Sequence, residues 1–152
     1  MGAVLEREEV TCEVIADPNH LHPTAVALAF RASKGHVALI TDAISAAGAS
    51  DGIYSLGPSR VCVEGGSAHL EGTSTIAGST INMAEAVRHA VLDAGVPLEK
   101  VAEAAASAPA RVLGIDKEVG AIEVGKLADL VVLGDDLLPV AVIIAGQWQE
   151  TS

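Results

Sequence analysis

The apolar and polar positions fall into three successive patterns. Glu9 to Ala16 (EVTCEVIA) reads as a buried strand that ends in a polar cluster, Asp17-Pro18-Asn19-His20-Leu21-His22-Pro23. Pro23 opens a predicted helix, Thr24 to Ser33, because a missing N–H is harmless in the first turn. Lys34-Gly35 stops it, with Gly35 as the expected left-handed residue beyond the cap. His36 to Thr41 is a second apolar strand, ending in the carboxylate of Asp42 and a small-residue segment, Ala46 to Ser50. Strand, loop, helix, strand is a βαβ unit, so the strands should be parallel. The polar clusters around His20 and Asp42 then share one edge of the sheet.

After Ser50 the runs shorten. Asp51-Gly52 and Gly65-Gly66 punctuate Ile53–Leu56, Arg60–Val63 and Ala68–Leu70, which read as short antiparallel strands. Gly72 to Thr80 reads as a loop of small residues, with Ser79 or Thr80 capping a helix over Ile81 to Ala94. Its Ile81, Met83, Ala84, Val87 and Val91 form a helical stripe. Gly95 ends it, Pro97 starts a helix to Ala106, and Ser107-Ala108-Pro109 begins a third, closed at Gly114. In the tail, Gly125 to Gly134, Val140 to Gly146 and Gln147–Gln149 are β runs separated by glycine turns.

The 152 residues suffice for one domain with a sizeable core, and half of them are hydrophobic. Aromatics are only 2%, so Val, Ile, Leu and Ala must build that core, a composition suited to parallel strands under helices. The fold class expected is α/β. A net charge of −11 argues against nucleic acid and anionic membranes as partners. No apolar run approaches the roughly 20 residues that span a bilayer. The N-terminus has no basic segment before an apolar core, so no signal peptide is expected. Cys12 and Cys62 lack CxxC spacing and read as buried free thiols, consistent with a cytoplasmic location.

Asp42 has two readings from this pattern. A carboxylate at the C-terminal end of a buried strand is where α/β folds place chemistry. It could equally cap the turn through an Asx hydrogen bond. His20 and His22 have a His-x-His spacing that zinc sites use. No matching cluster of ligands follows, so no metal site is assigned to them, and His22 reads as structural at the helix start. His36, His69 and His89 lack a partner pattern. Glu99, Lys100 and Glu103 read as a solvated helix face, Asp129 as a turn residue, and Trp148 as packing in the tail.

The ordered set Ala16-Asp17-x-x-His20-x-His22-Pro23, Thr41-Asp42-Ala43, Ile76-Ala77-Gly78-Ser79, Pro109-Ala110-Arg111 and Gly125-Lys126-Leu127-Ala128-Asp129-Leu130 resembles the C-terminal part of the N-acetylglucosamine-6-phosphate deacetylases of the amidohydrolase superfamily. The resemblance implies the C-terminal portion of a metal-dependent-hydrolase (β/α)8 barrel plus part of a small β-sandwich. Residues 9–50 would be the last two barrel βα units, 51–72 short antiparallel strands, 73–114 a helical segment closing the barrel, and 115–150 the sandwich tail. It implies Asp42 as the catalytic acid/base that activates a metal-bound water and protonates the leaving amine. It implies substrate contact by His20 and by the backbone of Ile76, Ala77 and Gly78.

The implied cofactor is a divalent metal, zinc or similar, whose ligands lie on earlier strands and not in this chain. The implied substrate is a phosphorylated amino sugar. The implied partners are the missing N-terminal barrel half and further copies in a homo-oligomer, without nucleic acid or membrane. Pro18-Asn19 departs from the family's usual glycine and apolar residue and restricts Asp17 to extended geometry. Two other readings stand beside this one. One is a non-catalytic split-barrel module that folds by association, since two barrel strands leave open edges. The other is a related amidohydrolase acting on another amide or a cyclic ureide.

Overall fold

Two parallel strands carry the part of the chain that ends in the polar clusters. A computed structural model describes residues 2–149, so the last residue of the expected tail, 150, lies outside it. A short helix α1 (Gly2–Leu5) precedes β1 (Thr11–Ile15), α2 (Pro23–Ala32) and β2 (His36–Ile40). β1 and β2 pair in parallel, from Thr11 opposite His36 to Ile15 opposite Ile40, as the βαβ pattern requires. Val14 and Leu39 stand side by side in that register and face the helical layer.

Helix α2 ends without a left-handed cap. Ser33 closes it in extended geometry and Gly35 does not have positive φ. Gly35 answers a different need: a Cβ there would stand 2.1 Å from the Val10 carbonyl oxygen. The chain entering β1 passes directly over it, so the glycine serves close approach.

The second sheet is antiparallel: β3 (Gly52–Leu56), β4 (Ser59–Glu64), β5 (Ser67–Leu70) and β6 (Ile76–Ser79), in sequential order. The first three strands are those read from the sequence. β6 is not the loop expected there. Its small residues pair with β5 through a bulge and bury Ala77 with Ala46, Val61, Val63 and Ala68. A single parallel bridge from Ala43 to Ser79 ties this sheet to the exit of β2.

Helix α3 (Met83–Leu92) starts at Asn82, not at Ser79 or Thr80. The Asn82 side chain accepts the Glu85 N–H at 3.0 Å, and the Glu85 carboxylate accepts the Asn82 N–H at 2.8 Å, a reciprocal capping box. Ser79 Oγ instead accepts the Ile81 N–H, and Thr80 Oγ1 donates to the Gly66 carbonyl.

The next two expected helices form one run. α4 (Leu98–Ala102) passes through a π-helical segment (Glu103–Ser107) into α5 (Ala108–Leu113). Pro97 is the residue before α4, not its first helical position, and Pro109 lies inside the run. A proline there removes one bond and crowds the carbonyl four residues back, and the wider π turn accommodates it. Gly114 ends the run in left-handed geometry, as expected. The core of this region joins Val14, Ala16, Val26 and Leu39 to Val87, Ala90, Val96, Val101 and Ala104.

A third sheet holds β7 (Leu130–Leu133), β8 (Pro139–Ile144) and β9 (Gln147–Gln149), all antiparallel. Trp148 is 69% exposed on β9, so it does not provide the packing expected of it. Cys12 and Cys62 are free, as expected, but half-buried rather than buried. The described residues form three small sheets and no closed barrel. No described helix is long and apolar enough to cross a membrane.

Candidate active site

β1 and β2 run in the same direction, so the residues just beyond them emerge together. Beyond β1 the chain turns at Asp17, whose Oδ1 accepts the N–H groups of Asn19 and His20 at 3.1 and 2.7 Å. This is an Asx turn, and Pro18 favours it by holding Asp17 extended. Asp17 Oδ2 stands 2.8 Å from His20 Nδ1. The imidazole is therefore oriented from behind, and its Nε2 faces Asp42 Oδ2 at 3.8 Å. Exposure rises along this line: the side chains of Asp17, His20 and Asp42 are 1%, 19% and 51% exposed.

Asp42 sits in left-handed backbone geometry, φ 52°. A non-glycine residue there is uncommon, although aspartate tolerates it better than most. Two hydrogen bonds hold the corner. The Ser79 N–H donates to the Asp42 carbonyl at 2.8 Å, and the Ile44 N–H donates to the Ser79 carbonyl at 2.9 Å. The Asx-capping alternative for Asp42 gains no hydrogen bond in the structure. Asp17 does that work, and the Asp42 carboxylate is left facing His20 and solvent.

β6 brings a third segment to the same place. Gly78, at φ 87°, has Asp42 so near that a Cβ would stand 3.0 Å from its carbonyl oxygen and 3.6 Å from Oδ2. Of the five residues singled out, His20, Asp42 and Gly78 thus converge. Ala77 is buried in the adjoining core, and Ile76 is exposed at the start of β6. Asp17 was missed as a site residue. The Asp-Pro-Asn turn signature beside His20 could have found it.

The other expectations divide. His22 Nδ1 accepts the Thr24 N–H at 3.2 Å and caps α2, the structural role expected. Asp129 Oδ1 accepts the Ala145 N–H at 2.7 Å, fixing a turn. His89 has a partner, Asp93 at 2.5 Å, and His36 lies beside Arg111 at 3.3 Å. Glu99, Lys100 and Glu103 lie on an exposed helix face, as expected, where Glu103 also pairs with Arg111 of the same helical run at 2.7 Å. Among the described residues no three His, Cys, Asp or Glu side chains converge as metal ligands. His20 has one nitrogen committed to Asp17, leaving Nε2 and the Asp42 carboxylate, too few donors for a closed site.

This arrangement presents a half-exposed carboxylate and an oriented imidazole beside the main chain of Gly78. The chain is 41% identical over 138 residues to human N-acetylglucosamine-6-phosphate deacetylase, covering 90% of the chain and 34% of that protein. It is 37% identical over 147 residues to an Escherichia coli K12 protein named a putative N-acetylgalactosamine-6-phosphate deacetylase, covering 97% of the chain and 87% of that protein. Among solved structures, a mutant Mycobacterium smegmatis N-acetyl-D-glucosamine-6-phosphate deacetylase in complex with N-acetyl-D-glucosamine-6-phosphate superposes with TM-score 0.89 at 41% identity. That match covers 96% of this chain and 39% of the other. The chain thus spans about a third of the length of the human relative. The amidohydrolase family profile matches residues 5–149, and the chain belongs to that family.

Proposed function

We propose that this chain is the C-terminal segment of an amide hydrolase that converts N-acetylglucosamine 6-phosphate and water to glucosamine 6-phosphate and acetate. In this reading β1 and β2 are the seventh and eighth strands of a (β/α)8 barrel, and β7–β9 are part of a small β-sandwich. The observation that carries it is the convergence of His20 Nε2 on Asp42 Oδ2 at the C-terminal ends of two parallel strands.

The chemistry follows from the residues. The Asp42 carboxylate takes a proton from water as the water oxygen attacks the amide carbon. The C–N bond then breaks, and the Asp42 carboxyl returns the proton to the departing amine nitrogen. General acid–base work of this kind contributes about 10²–10⁴-fold. His20 orients the sugar phosphate, and the main chain of Ile76, Ala77 and Gly78 lines its other side. The residues of this chain do not fit the divalent metal that the resemblance implies, zinc or similar. That ion would be held by residues outside the chain, and no step is derived through it.

The test is acetate release from N-acetylglucosamine 6-phosphate by the chain alone and with the N-terminal two-thirds of a full-length relative, zinc added. Activity is expected only with the added segment, and Asp42→Asn should abolish it. No activity in either case would refute the reading. The N-acetylgalactosamine 6-phosphate epimer serves as a parallel substrate, since one relative is named for it.

A second reading, a non-catalytic module that folds by association, has its own support. A cleft of ≈ 660 Å³ lined by Met83, Val87, Ala102, Val119, Ile122 and Leu127 lies open between the helices and the third sheet. Such an apolar opening suits another polypeptide. Binding of the N-terminal segment without any acetate release would favour this reading.

A further inference from the structure

We infer that Asp17 is a positioning residue of the site, fixing His20 with its proton on Nδ1 so that Nε2 is the free nitrogen presented toward Asp42. The inference deepens the proposed function and rests on it only for the consequence for activity.

The Asp17 side chain is 1% exposed, far more buried than a carboxylate usually is. Its two oxygens have separate partners. Oδ1 takes the backbone N–H groups of Asn19 and His20, and Oδ2 takes His20 Nδ1 at 2.8 Å. The three donors satisfy a group that would otherwise be costly to bury. No buried side-chain nitrogen or oxygen among the described residues is without a partner. A carboxylate only accepts, so the shared proton belongs to Nδ1 and the lone pair of the neutral ring to Nε2. An unconstrained imidazole would turn about two torsions and exchange tautomers. Asp17 removes both freedoms, because its own orientation is set by the two backbone donors.

The isosteric variant separates this role from turn-making. In Asp17→Asn, Oδ1 still accepts the two backbone N–H groups, but the amide nitrogen that replaces Oδ2 can only donate. Nδ1 must then become the acceptor, and the ring proton moves to Nε2. Two-bond ¹H–¹⁵N spectra of the histidine-labelled full chain at alkaline pH read this directly, with His20 assigned through His20→Gln. The expected result is a protonated Nδ1 and a bare Nε2 in the wild type, with the two nitrogen shifts exchanging places in Asp17→Asn. A wild-type ring protonated mainly on Nε2 overturns the inference whether or not any variant folds. So does an unchanged tautomer in a folded Asp17→Asn. In the two-segment deacetylation assay kcat/KM should fall about 10–100-fold, as when other orienting partners of working histidines are removed. A tautomer exchange without deacetylation by any combination leaves Asp17 in its role and refutes the deacetylase reading alone.

Discussion

Gly78 of β6 packs its α-carbon against Asp42, the left-handed residue beyond β2. A Cβ on Gly78 would stand 3.0 Å from the Asp42 carbonyl oxygen and 2.7 Å from Ile44 Cγ2. Two sheets that share no hydrogen-bonded strand pair are joined at this corner by the Ser79 N–H to Asp42 and the Ile44 N–H to Ser79. The carboxylate therefore depends on the second sheet for its position as much as on β2.

Gly78→Ala tests that dependence. The φ of 87° is unfavourable for any residue with a Cβ, and the crowding by Asp42 and Ile44 adds to it. Strain at such a position costs about 1–3 kcal/mol, and overpacking a similar amount. The expected outcome is a lower denaturation midpoint, measured in urea with circular dichroism. In the two-segment assay, activity should fall even at temperatures where the variant is folded. A variant as stable and active as the wild type would show that the corner yields without moving Asp42.

The β1–α2–β2 unit and the placing of His20 near Asp42 were legible because period, turn residues and the parallel-crossover rule agree there. The same rules failed where small residues are ambiguous. Ile76-Ala77-Gly78-Ser79 has a glycine and little β propensity, yet it is a strand because Ala77 fills the core under Val61 and Val63. Ser79 and Thr80 were plausible caps, but the Ser79 hydroxyl accepts the nearby Ile81 N–H, the Thr80 hydroxyl donates to the distant Gly66 carbonyl, and the cap falls to Asn82. The π segment arises from Pro109 meeting a helix that packing keeps continuous, which local propensity does not reveal. Asp17 was overlooked because the Asx reading was spent on Asp42.

Asn82 tests the start of α3, since its side chain enters none of the hydrogen bonds of Asp17, His20 and Asp42. Asn82→Ala removes the acceptor for the Glu85 N–H, while the backbone N–H of residue 82 still donates to the Glu85 carboxylate. The expected loss is about 1 kcal/mol, within the usual 0.5–2 for removal of an N-cap. Asn82→Asp should retain most of it, since aspartate also accepts and favours a helix N-terminus. Equal midpoints for Asn82→Ala and the wild type would show that the cap contributes nothing in this context.

Gly35→Ala probes the entrance of the parallel sheet. The new methyl would meet the Val10 carbonyl at 2.1 Å and those of Arg7 and Glu8 at 2.9 Å, all backbone atoms that cannot swing aside. The segment before β1 must separate from the start of β2, at about 1–3 kcal/mol or more for overpacking. Hydrogen exchange should show lost protection at Thr11 and Val37 before it reaches the antiparallel sheets. Uniform loss across all three sheets would contradict this local account and point to a single cooperative unit.

Leu39 separates packing from chemistry most sharply, because it lies three residues before Asp42 and is 1% exposed. Its side chain fills the layer between β2 and the helices, in the cluster that includes Val14, Val87 and Val101. Leu39→Ala removes apolar surface and leaves a cavity whose walls belong to several elements and so close only partly. The expected cost is about 2–5 kcal/mol. A small chain with two open strand edges has little stability to spare, so the variant should be largely unfolded alone and recover on adding the N-terminal segment. Circular dichroism with and without that segment measures both. Full folding of isolated Leu39→Ala would place the stabilising core elsewhere. Recovery of structure without recovery of acetate release would mean that packing at Leu39 also sets the position of Asp42.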